Sequence, residues 1–179
     1  MNNVLVVVDM QNDFIDGSLG TNEALSIVDN VVKEINKPIY NHIIYTLDSH
    51  DNNYLDTLEG KNLPVKHCVY GEIGHDLNKK VKEAIDNRSK DSFVTINQVN
   101  KPTFGSFDII PLIGKVDSIT FCGVCTDICV ISNAIILRAA FKDMPMYYVK
   151  QACAGTSKEN HEAACKVMDS CQIFDKKDF

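Results

Sequence analysis

Two cysteines in one short segment could supply a thiol nucleophile. The segment Phe121–Val130 reads FCGVCTDICV, in which an apolar strand passes through a turn into a helix. Thr126 is a favourable N-cap residue, which would place Cys129 in the first helical turn. The unpaired N–H groups and the positive dipole end there favour a thiolate, the reactive form of cysteine. Cys125 is the rival candidate, and two cysteines at this spacing could also be core residues that pack together.

An acid and an amine could complete such a site. Asp9 ends an apolar run, so its carboxylate would be partly desolvated and able to take a proton from a thiol and return it to a leaving amine. Lys101 could stabilise both anions electrostatically. Both residues also have an ordinary interpretation, because an acid at a strand end often binds turn N–H groups and most lysines are solvated. The fold must therefore bring them together.

The hydrophobic pattern predicts the elements that would do so. Short β-branched runs, typical of buried strands, alternate with segments of helical periodicity. This alternation predicts a single α/β domain over residues 1–179, with a mostly parallel sheet and helices on both faces. The predicted strands are Val4–Val8, His42–Thr46, Phe93–Ile96, Ser118–Cys122 and Met146–Val149, and the predicted helices cover about 22–36, 75–87, 126–142 and 157–170.

Residues with useful chemistry follow these strands. Ligands of open parallel sheets bind beyond the carboxyl ends of the strands, so these residues would gather at one edge. The helix after the fourth strand, Ile128–Phe141, is apolar nearly all round, so we expect it to be buried and to hold its first turn rigidly. The residues that follow successive strands are Asp9, then Asp48 and His50, then Lys101 a few residues on, then Gly123–Cys129.

Composition limits the class of protein. The chain has 179 residues, 45% of them hydrophobic and 23% charged, as in a globular protein. Its net charge of -6 and its scattered charges argue against a nucleic acid or a membrane surface as the main partner. The N-terminus lacks the basic start of a signal peptide, and no apolar run is long enough to span a bilayer. Seven cysteines without such a signal suggest free thiols in the cytoplasm.

The irregular region at about residues 48–74 could hold a metal ion. A long segment of this kind inside a compact domain is usually functional. Asp48 and His50 are alternate residues at a strand end, so their side chains share one face. Carboxylates and imidazoles suit Zn²⁺, Mn²⁺ or Fe²⁺. The alternative is that the acids and histidines of this region are ordinary polar loop residues. The candidate ligands are Asp48, His50, Glu59 and His67.

Three separated motifs carry a family resemblance: DMQNDF at 9–14, KPTFGSF at 101–107 and GVCTDICV at 123–130. They resemble the isochorismatase-like cysteine hydrolases, nicotinamidases in particular, and the similarity extends in order along nearly the whole chain. The resemblance implies a three-layer α/β/α fold with Asp9, Lys101 and Cys129 as a catalytic triad. It also implies a cis peptide bond between Val124 and Cys125, with the backbone N–H groups of Cys125 and Cys129 directed at the oxyanion.

The resemblance further implies a divalent metal, zinc first and manganese or iron otherwise, that holds the pyridine nitrogen of the substrate. Asp48, His50 and His67 match the family's ligand positions, whereas some relatives have a histidine in place of Glu59. Isochorismatases proper lack this metal set, so its presence favours a nicotinamidase.

Aromatic residues of the first two motifs could sandwich a flat ring, or could simply pack in the core. They are Phe14, Phe104 and Phe107. Many nicotinamidases carry a tryptophan in the pocket loop, whereas this chain has none. The sequence therefore defines the type of reaction better than it defines the ring of the amide substrate.

The expected reaction is hydrolysis of nicotinamide to nicotinate and ammonia through a thioester on Cys129. Another amidase or carbamoyl-amide hydrolase of the same family is the close alternative. A different class of protein is also an alternative, namely a nonenzymatic, doubly wound module that binds a ligand or a metal. Against this alternative, no phosphate-binding motif of the form GxGxxG or GxxxxGK[ST] follows any predicted strand. The expected partners are a small-molecule amide and, by the resemblance, further copies of the chain.

Overall fold

Consecutive apolar residues build the centre of the sheet. β1 (Asn3–Val8) reads NVLVVV, and its last five residues are fully buried, as expected for a strand covered on both faces. The computed structural model describes residues 2–177. Its other strands are β2 (Tyr40–Asp48), β3 (Thr95–Lys101), β4 (Ser118–Val124), β5 (Met146–Ala154) and β6 (Ile173–Asp175). They form one sheet of order β3-β2-β1-β4-β5-β6, in which every neighbouring pair is parallel.

Helices connect these strands. The α-helices are α1 (Asn12–Ile15), α2 (Asn22–Ile35), α3 (Leu58–Asn62), α4 (Lys79–Arg88), α5 (Ile131–Ala140) and α6 (Lys158–Ser170). Short 3₁₀ helices span Tyr54–Asp56, Ile73–His75 and Phe107–Leu112. Within the described range, no helix combines the length and the apolar character that a membrane crossing requires.

The two halves of the sheet explain how the helices are placed. The chain moves from β1 to β3 towards one edge and from β4 to β6 towards the other. Right-handed crossovers then place the helices of the two halves on opposite faces. Accordingly, α2 packs against α4, and α5 packs against α6. The predicted α/β class with a parallel sheet is confirmed. The domain predicted over 1–179 includes Met1, Asp178 and Phe179, which lie outside the described residues.

The third strand differs from its prediction. The predicted run Phe93–Ile96 overlaps only the start of β3, and Phe93 is 86% exposed. Because β3 is at the edge of the sheet, exposed polar residues alternate with the buried Val99 and Lys101. A search for apolar runs misses such a strand. As a consequence, Lys101 is the last residue of β3 and does not lie a few residues beyond it.

The helix after β4 is less buried than expected. It begins with a π-helical turn at Thr126–Val130 and continues as α5, in which Asn133, Ala134 and Leu137 are buried. Ile135, in contrast, is 37% exposed. The helix therefore has a buried and an exposed side, although its sequence is apolar on both.

Gly123 lies where β4 comes closest to β1. Its φ is 117°, and a Cβ there would be 2.1 Å from the carbonyl oxygen of Val8. We expect Gly123→Ala to lower the free energy of unfolding by about 3 kcal/mol or more, because strain and overlap add. Gly71 is the matched control, since its φ is 82° and a Cβ added there would have no atom within 4 Å. Gly71→Ala should cost about 1 kcal/mol in urea unfolding, and equal losses at both positions would contradict the close approach.

Candidate active site

Three of the predicted residues meet at the carboxyl end of the sheet. Lys101 Nζ lies 2.7 Å from Asp9 Oδ2 and 3.5 Å from Cys129 Sγ. Asp9 and Lys101 are fully buried, and Cys129 is 6% exposed. Asp9 follows the central strand β1, Lys101 ends β3 and Cys129 follows β4. The sheet thus brings a carboxylate, an ammonium and a thiol to one buried point.

Asp9 is fixed by its backbone and by the neighbouring strand. Its φ of 50° is in the left-handed region, which aspartate tolerates better than most residues. The Thr46 hydroxyl on β2 donates to Asp9 Oδ1 at 2.6 Å. Burial raises the pKa of Asp9, and the positive charge of Lys101 only partly opposes this. A raised pKa suits a carboxylate that takes up a proton and later returns it.

The Cys129 thiol is not activated by its surroundings alone. Burial raises its pKa well above the ordinary value, and the charge of Asp9 adds to this, whereas Lys101 acts in the opposite direction. Burial therefore opposes the thiolate that a helix N-terminus would favour at this position. The group is a thiol next to a carboxylate, and transfer of its proton to Asp9 would generate the nucleophile.

The turn before Cys129 also differs from the prediction. Thr126 is not the N-cap: Cys125 occupies that position, without a side-chain cap, and Thr126 begins the π-helical turn. The Thr126 hydroxyl is instead 2.9 Å from Nδ1 of His161, on α6. This long-range partner competes with the local cap. The Val124–Cys125 peptide bond is cis, as the resemblance implies.

The four predicted metal ligands form a cluster beside these residues. The ligand atoms of the metal group, Asp48, His50, Glu59 and His67, all lie within 4.8 Å of one another. His50 Nε2 is 2.9 Å from Asp48 Oδ2 and 3.8 Å from Glu59 Oε1, and the corresponding distances for His67 Nε2 are 3.4 and 3.6 Å. Tetrahedral zinc ligands, about 2.0–2.1 Å from the ion, stand about 3.3–3.4 Å apart. The carboxylate-to-imidazole distances of the cluster lie on both sides of this spacing, so its donor set could hold a divalent metal ion.

Hydrogen bonds and charges prepare this cluster for a cation. His67 Nδ1 donates to the Val65 carbonyl at 2.8 Å, which orients the ring and leaves Nε2 for a ligand. Burial lowers the pKa of His67, but bonds to Asp48 and Glu59 outweigh it and raise the pKa to about 10. Asp48 also lies near the catalytic candidates, since its Oδ1 is 3.4 Å from Lys101 Nζ.

A cavity of about 270 Å³ adjoins both groups. Cys129 and Cys125 line it together with Asp48, Glu59 and His67 of the metal group. The apolar part of its wall consists of Phe14, Leu19, Leu63, Phe104 and Ile128. An apolar cavity with a few polar groups is typical of a small-molecule site.

Phe107 does not belong to this cavity, contrary to our expectation. Its side chain is 74% exposed, because the 3₁₀ helix that it begins turns Ile109 into the core instead. Phe14 and Phe104 do line the cavity.

Three buried polar residues that we did not predict support the site. Thr46 binds Asp9, and Asn133 Nδ2 donates to the Cys129 carbonyl at 2.8 Å. Gln11 accepts from the Asp48 N–H at 2.7 Å and donates to its carbonyl at 2.8 Å. A polar residue in an otherwise apolar segment was the available signal for Thr46 and Asn133, and Gln11 lies within the DMQNDF motif.

The sequence matches the isochorismatase domain over residues 3–174. The chain belongs to the isochorismatase family. A family relative, the uncharacterised PncA of Bacillus subtilis strain 168, is 26% identical over 171 residues, which are 90% of this chain and 91% of that protein.

Two solved structures resemble this isochorismatase-family chain. The pyrazinamidase/nicotinamidase of Streptococcus mutans UA159 superposes with a TM-score of 0.83 at 26% identity, over 98% of this chain and 100% of that one. The pyrazinamidase of Pyrococcus horikoshii in complex with zinc has a TM-score of 0.77 at 24% identity, over 99% and 100% of the two chains. The family and the fold implied by the three motifs are thus confirmed.

Proposed function

We propose that this isochorismatase-family hydrolase converts a flat aromatic carboxamide, nicotinamide first, into the carboxylate and ammonia. The observation that carries the proposal is the contact of Lys101 with both Asp9 and Cys129, beside an apolar cavity. A thiol, a proton acceptor and a fixed cation are the groups that acyl transfer to sulfur requires. The names of the similar solved proteins support the choice of amide.

The chain's own residues account for each proton. Asp9 takes the Cys129 proton as the sulfur attacks the amide carbon, and returns it to the nitrogen as the C–N bond breaks and ammonia leaves. Asp9 then accepts a proton from the water that attacks the thioester, and the departing sulfur recovers it. The backbone N–H groups of Cys125 and Cys129 are the proposed donors to the oxyanion.

Lys101 remains charged throughout this cycle. Burial alone would lower its pKa, but the negative charges of Asp9 and Asp48, and that of Cys129 when it is ionised, raise the pKa above the ordinary value. A permanently protonated amine cannot serve as the base. Its role is to stabilise the carboxylate and the transient thiolate.

The cavity favours a neutral substrate. No lysine or arginine lines it among residues 2–177, and Lys101 is fully buried against Asp9. A carbamoyl amino acid would bring a carboxylate next to Asp48 and Glu59, and the described wall has no lysine or arginine to pair with it. This charge distribution supports nicotinamide over the carbamoyl-amide alternative.

The proposed ligands of a divalent metal are the four residues of the metal group. When bound, the ion would supply a Lewis acid for a ring nitrogen. Asp48 and Glu59 bring the negative charge that balances it, and the Val65 carbonyl keeps His67 in the tautomer with Nε2 free. Zinc is the proposed ion, with manganese or iron as alternatives.

We expect Zn²⁺ binding to the metal-free protein to release a proton at pH 7. The pKa of His67, about 10 without metal, means that its ring is protonated there, whereas a ligand must be neutral. The apparent affinity should therefore rise about tenfold per pH unit from pH 6 to 9. Calorimetry in two buffers of different ionisation enthalpy measures the release. Equal binding heats in the two buffers would contradict the release of a proton. The matched control is His42→Asn, outside the metal group, which should release the proton as the wild type does.

The proposed function is tested by ammonia release from purified protein. Nicotinamide should be hydrolysed faster than benzamide, which lacks the ring nitrogen, and N-carbamoylglycine should not react. Chelation should remove the difference between nicotinamide and benzamide, and zinc should restore it. If none of these amides releases ammonia after metal addition, the proposal is wrong. The association of chain copies and a cytoplasmic location remain predictions.

A further inference from the structure

Asn133 is a fully buried amide between the thiol turn and the cavity wall. Its Nδ2 donates to the carbonyl oxygens of Cys129 at 2.8 Å and Phe104 at 3.4 Å, and its Oδ1 accepts from the Ser106 N–H at 3.0 Å. One side chain on α5 therefore joins the turn that carries the thiol to the segment that follows β3. None of the proton transfers proposed above involves it.

The segment that follows β3 is also in close contact with α5, at Gly105. A Cβ there would lie 2.7 Å from Ile136 Cδ1 and 3.3 Å from Ser132 Cβ, both on α5. These distances are shorter than an ordinary contact between carbon atoms. The backbone around Gly105 thus lies directly on the helix, and an added methyl requires either a rotation of the Ile136 side chain or a shift of the segment.

The Asn133 side chain connects two residues of the cavity wall. Phe104 and Cys129 line the same cavity, and Asn133 holds the backbone of both residues. Loss of this bridge would remove two hydrogen bonds that hold the segment with Phe104 against α5. We expect the gap between the Phe104 ring and the Cys129 sulfur then to widen, so that a flat ring would lose its contact with the wall.

We propose that Asn133 is a positioning residue that sets the gap between Phe104 and Cys129, and so selects flat ring carboxamides over puckered ones. The inference rests on the proposed function, in which the Cys129 sulfur attacks a carboxamide. It adds a determinant of specificity that lies outside the catalytic and metal groups.

The kinetic test compares benzamide with cyclohexanecarboxamide, a flat and a puckered ring of similar size. Asn133→Ala should reduce the ratio of kcat/KM for benzamide over cyclohexanecarboxamide about tenfold, which is about 1.4 kcal/mol. Most of the change should be in the KM for benzamide, with kcat little affected. Unchanged ratios in a folded variant would show that Asn133 only stabilises α5, and would overturn the proposal.

Gly105 provides a second, independent test, in case Asn133→Ala does not fold. Gly105→Ala keeps the Asn133 side chain itself, and it should shift the ratio in the same direction to the extent that the segment, and not Ile136 Cδ1, yields to the added methyl. In Gly105→Ala/Ile136→Ala the clashing methyl is removed, so the wild-type ratio should return. Failure of this rescue would contradict the claim that the position of the segment with Phe104 sets the preference for flat rings.

Alkylation of Cys129 separates this inference from the proposed function. Wild-type protein should react faster with N-phenyliodoacetamide than with N-cyclohexyliodoacetamide, as measured on the Cys129 peptide by mass spectrometry. Both single variants should lose this preference while reacting with iodoacetamide itself at the wild-type rate. A preference retained in both variants, or an equal loss of iodoacetamide reactivity, would overturn the proposal even if the wild-type protein hydrolyses no amide.

Discussion

Cys129→Ala is expected to abolish ammonia release from nicotinamide and to leave the protein folded. In the proposed reaction the Cys129 sulfur forms the thioester, and Lys101 Nζ, 3.5 Å away, stabilises its charge. Loss of a nucleophile typically costs about 10⁴-fold or more in kcat. The thiol is small, so its removal creates little empty space, and circular dichroism should match that of the wild type. A fixed-time ammonia assay at high protein concentration detects the residual rate.

Cys125→Ala is the matched control. The Cys125 thiol lines the same cavity, and burial raises its pKa to about 12, but its proposed contribution is a backbone N–H that alanine also has. This variant should keep most of the activity. If instead it were inactive and Cys129→Ala active, the nucleophile would be Cys125. Activity in both single variants would show that neither sulfur is required by itself, which would contradict Cys129 as the nucleophile.

The largest expected change in stability follows from Lys101→Met. Lys101 is fully buried and lies 2.7 Å from Asp9 and 3.4 Å from Asp48. Its loss leaves Asp9 buried without a cation, which typically costs about 3–5 kcal/mol. Activity should be lost as well. Urea unfolding of Asp9→Asn/Lys101→Met should recover part of the stability and none of the activity, because the uncompensated charge is gone.

The pH dependence of this variant has a defined sign. Without Lys101, burial raises the pKa of Asp9 further above its unfolded value, so the folded protein binds the proton more tightly than the unfolded chain. The penalty is therefore complete at high pH and relieved as the pH falls through the folded pKa. We expect Lys101→Met to be more stable at pH 6 than at pH 8 in urea unfolding.

A matched control separates this effect from loss of any ion pair. Lys150 and Glu162 form a pair at 2.8 Å, but their side chains are 37% and 53% exposed to solvent. Lys150→Met should leave the free energy of unfolding nearly unchanged, because exposed ion pairs contribute little. A similar loss in both variants, or a Lys101→Met stability that does not vary with pH, would contradict the buried charge as the cause.

Sequence patterns were sufficient for the parts of the site that follow from strand order. Asp9, Asp48 and the Cys129 turn each follow or end a strand near the centre of the sheet, and parallel topology alone brings such positions together. Two members of the metal group are placed in the same way, because Asp48 ends β2 and His50 lies two residues further on. Their roles in the reaction remain predictions.

Other features depend on contacts that no local pattern contains. Thr126 binds His161, 35 residues later in the chain, in place of a cap. β6 has only three residues and exists because it pairs with β5. Phe107 and Phe104 are similar in the sequence, and only the 3₁₀ helix that begins at Phe107 separates an exposed ring from one that lines the cavity.

The position of β3 has a consequence for how the protein would lose activity on heating. Within the described sheet β3 pairs only with β2, in a register that ends with Lys101 beside Asp48. Edge elements open locally at a lower free energy than the whole domain unfolds. Each such opening withdraws the ammonium from Asp9 and Cys129 while the remaining five strands stay paired. Thermal inactivation should therefore precede loss of secondary structure, and amide exchange at Thr95–Lys101 should follow the same temperature course as activity.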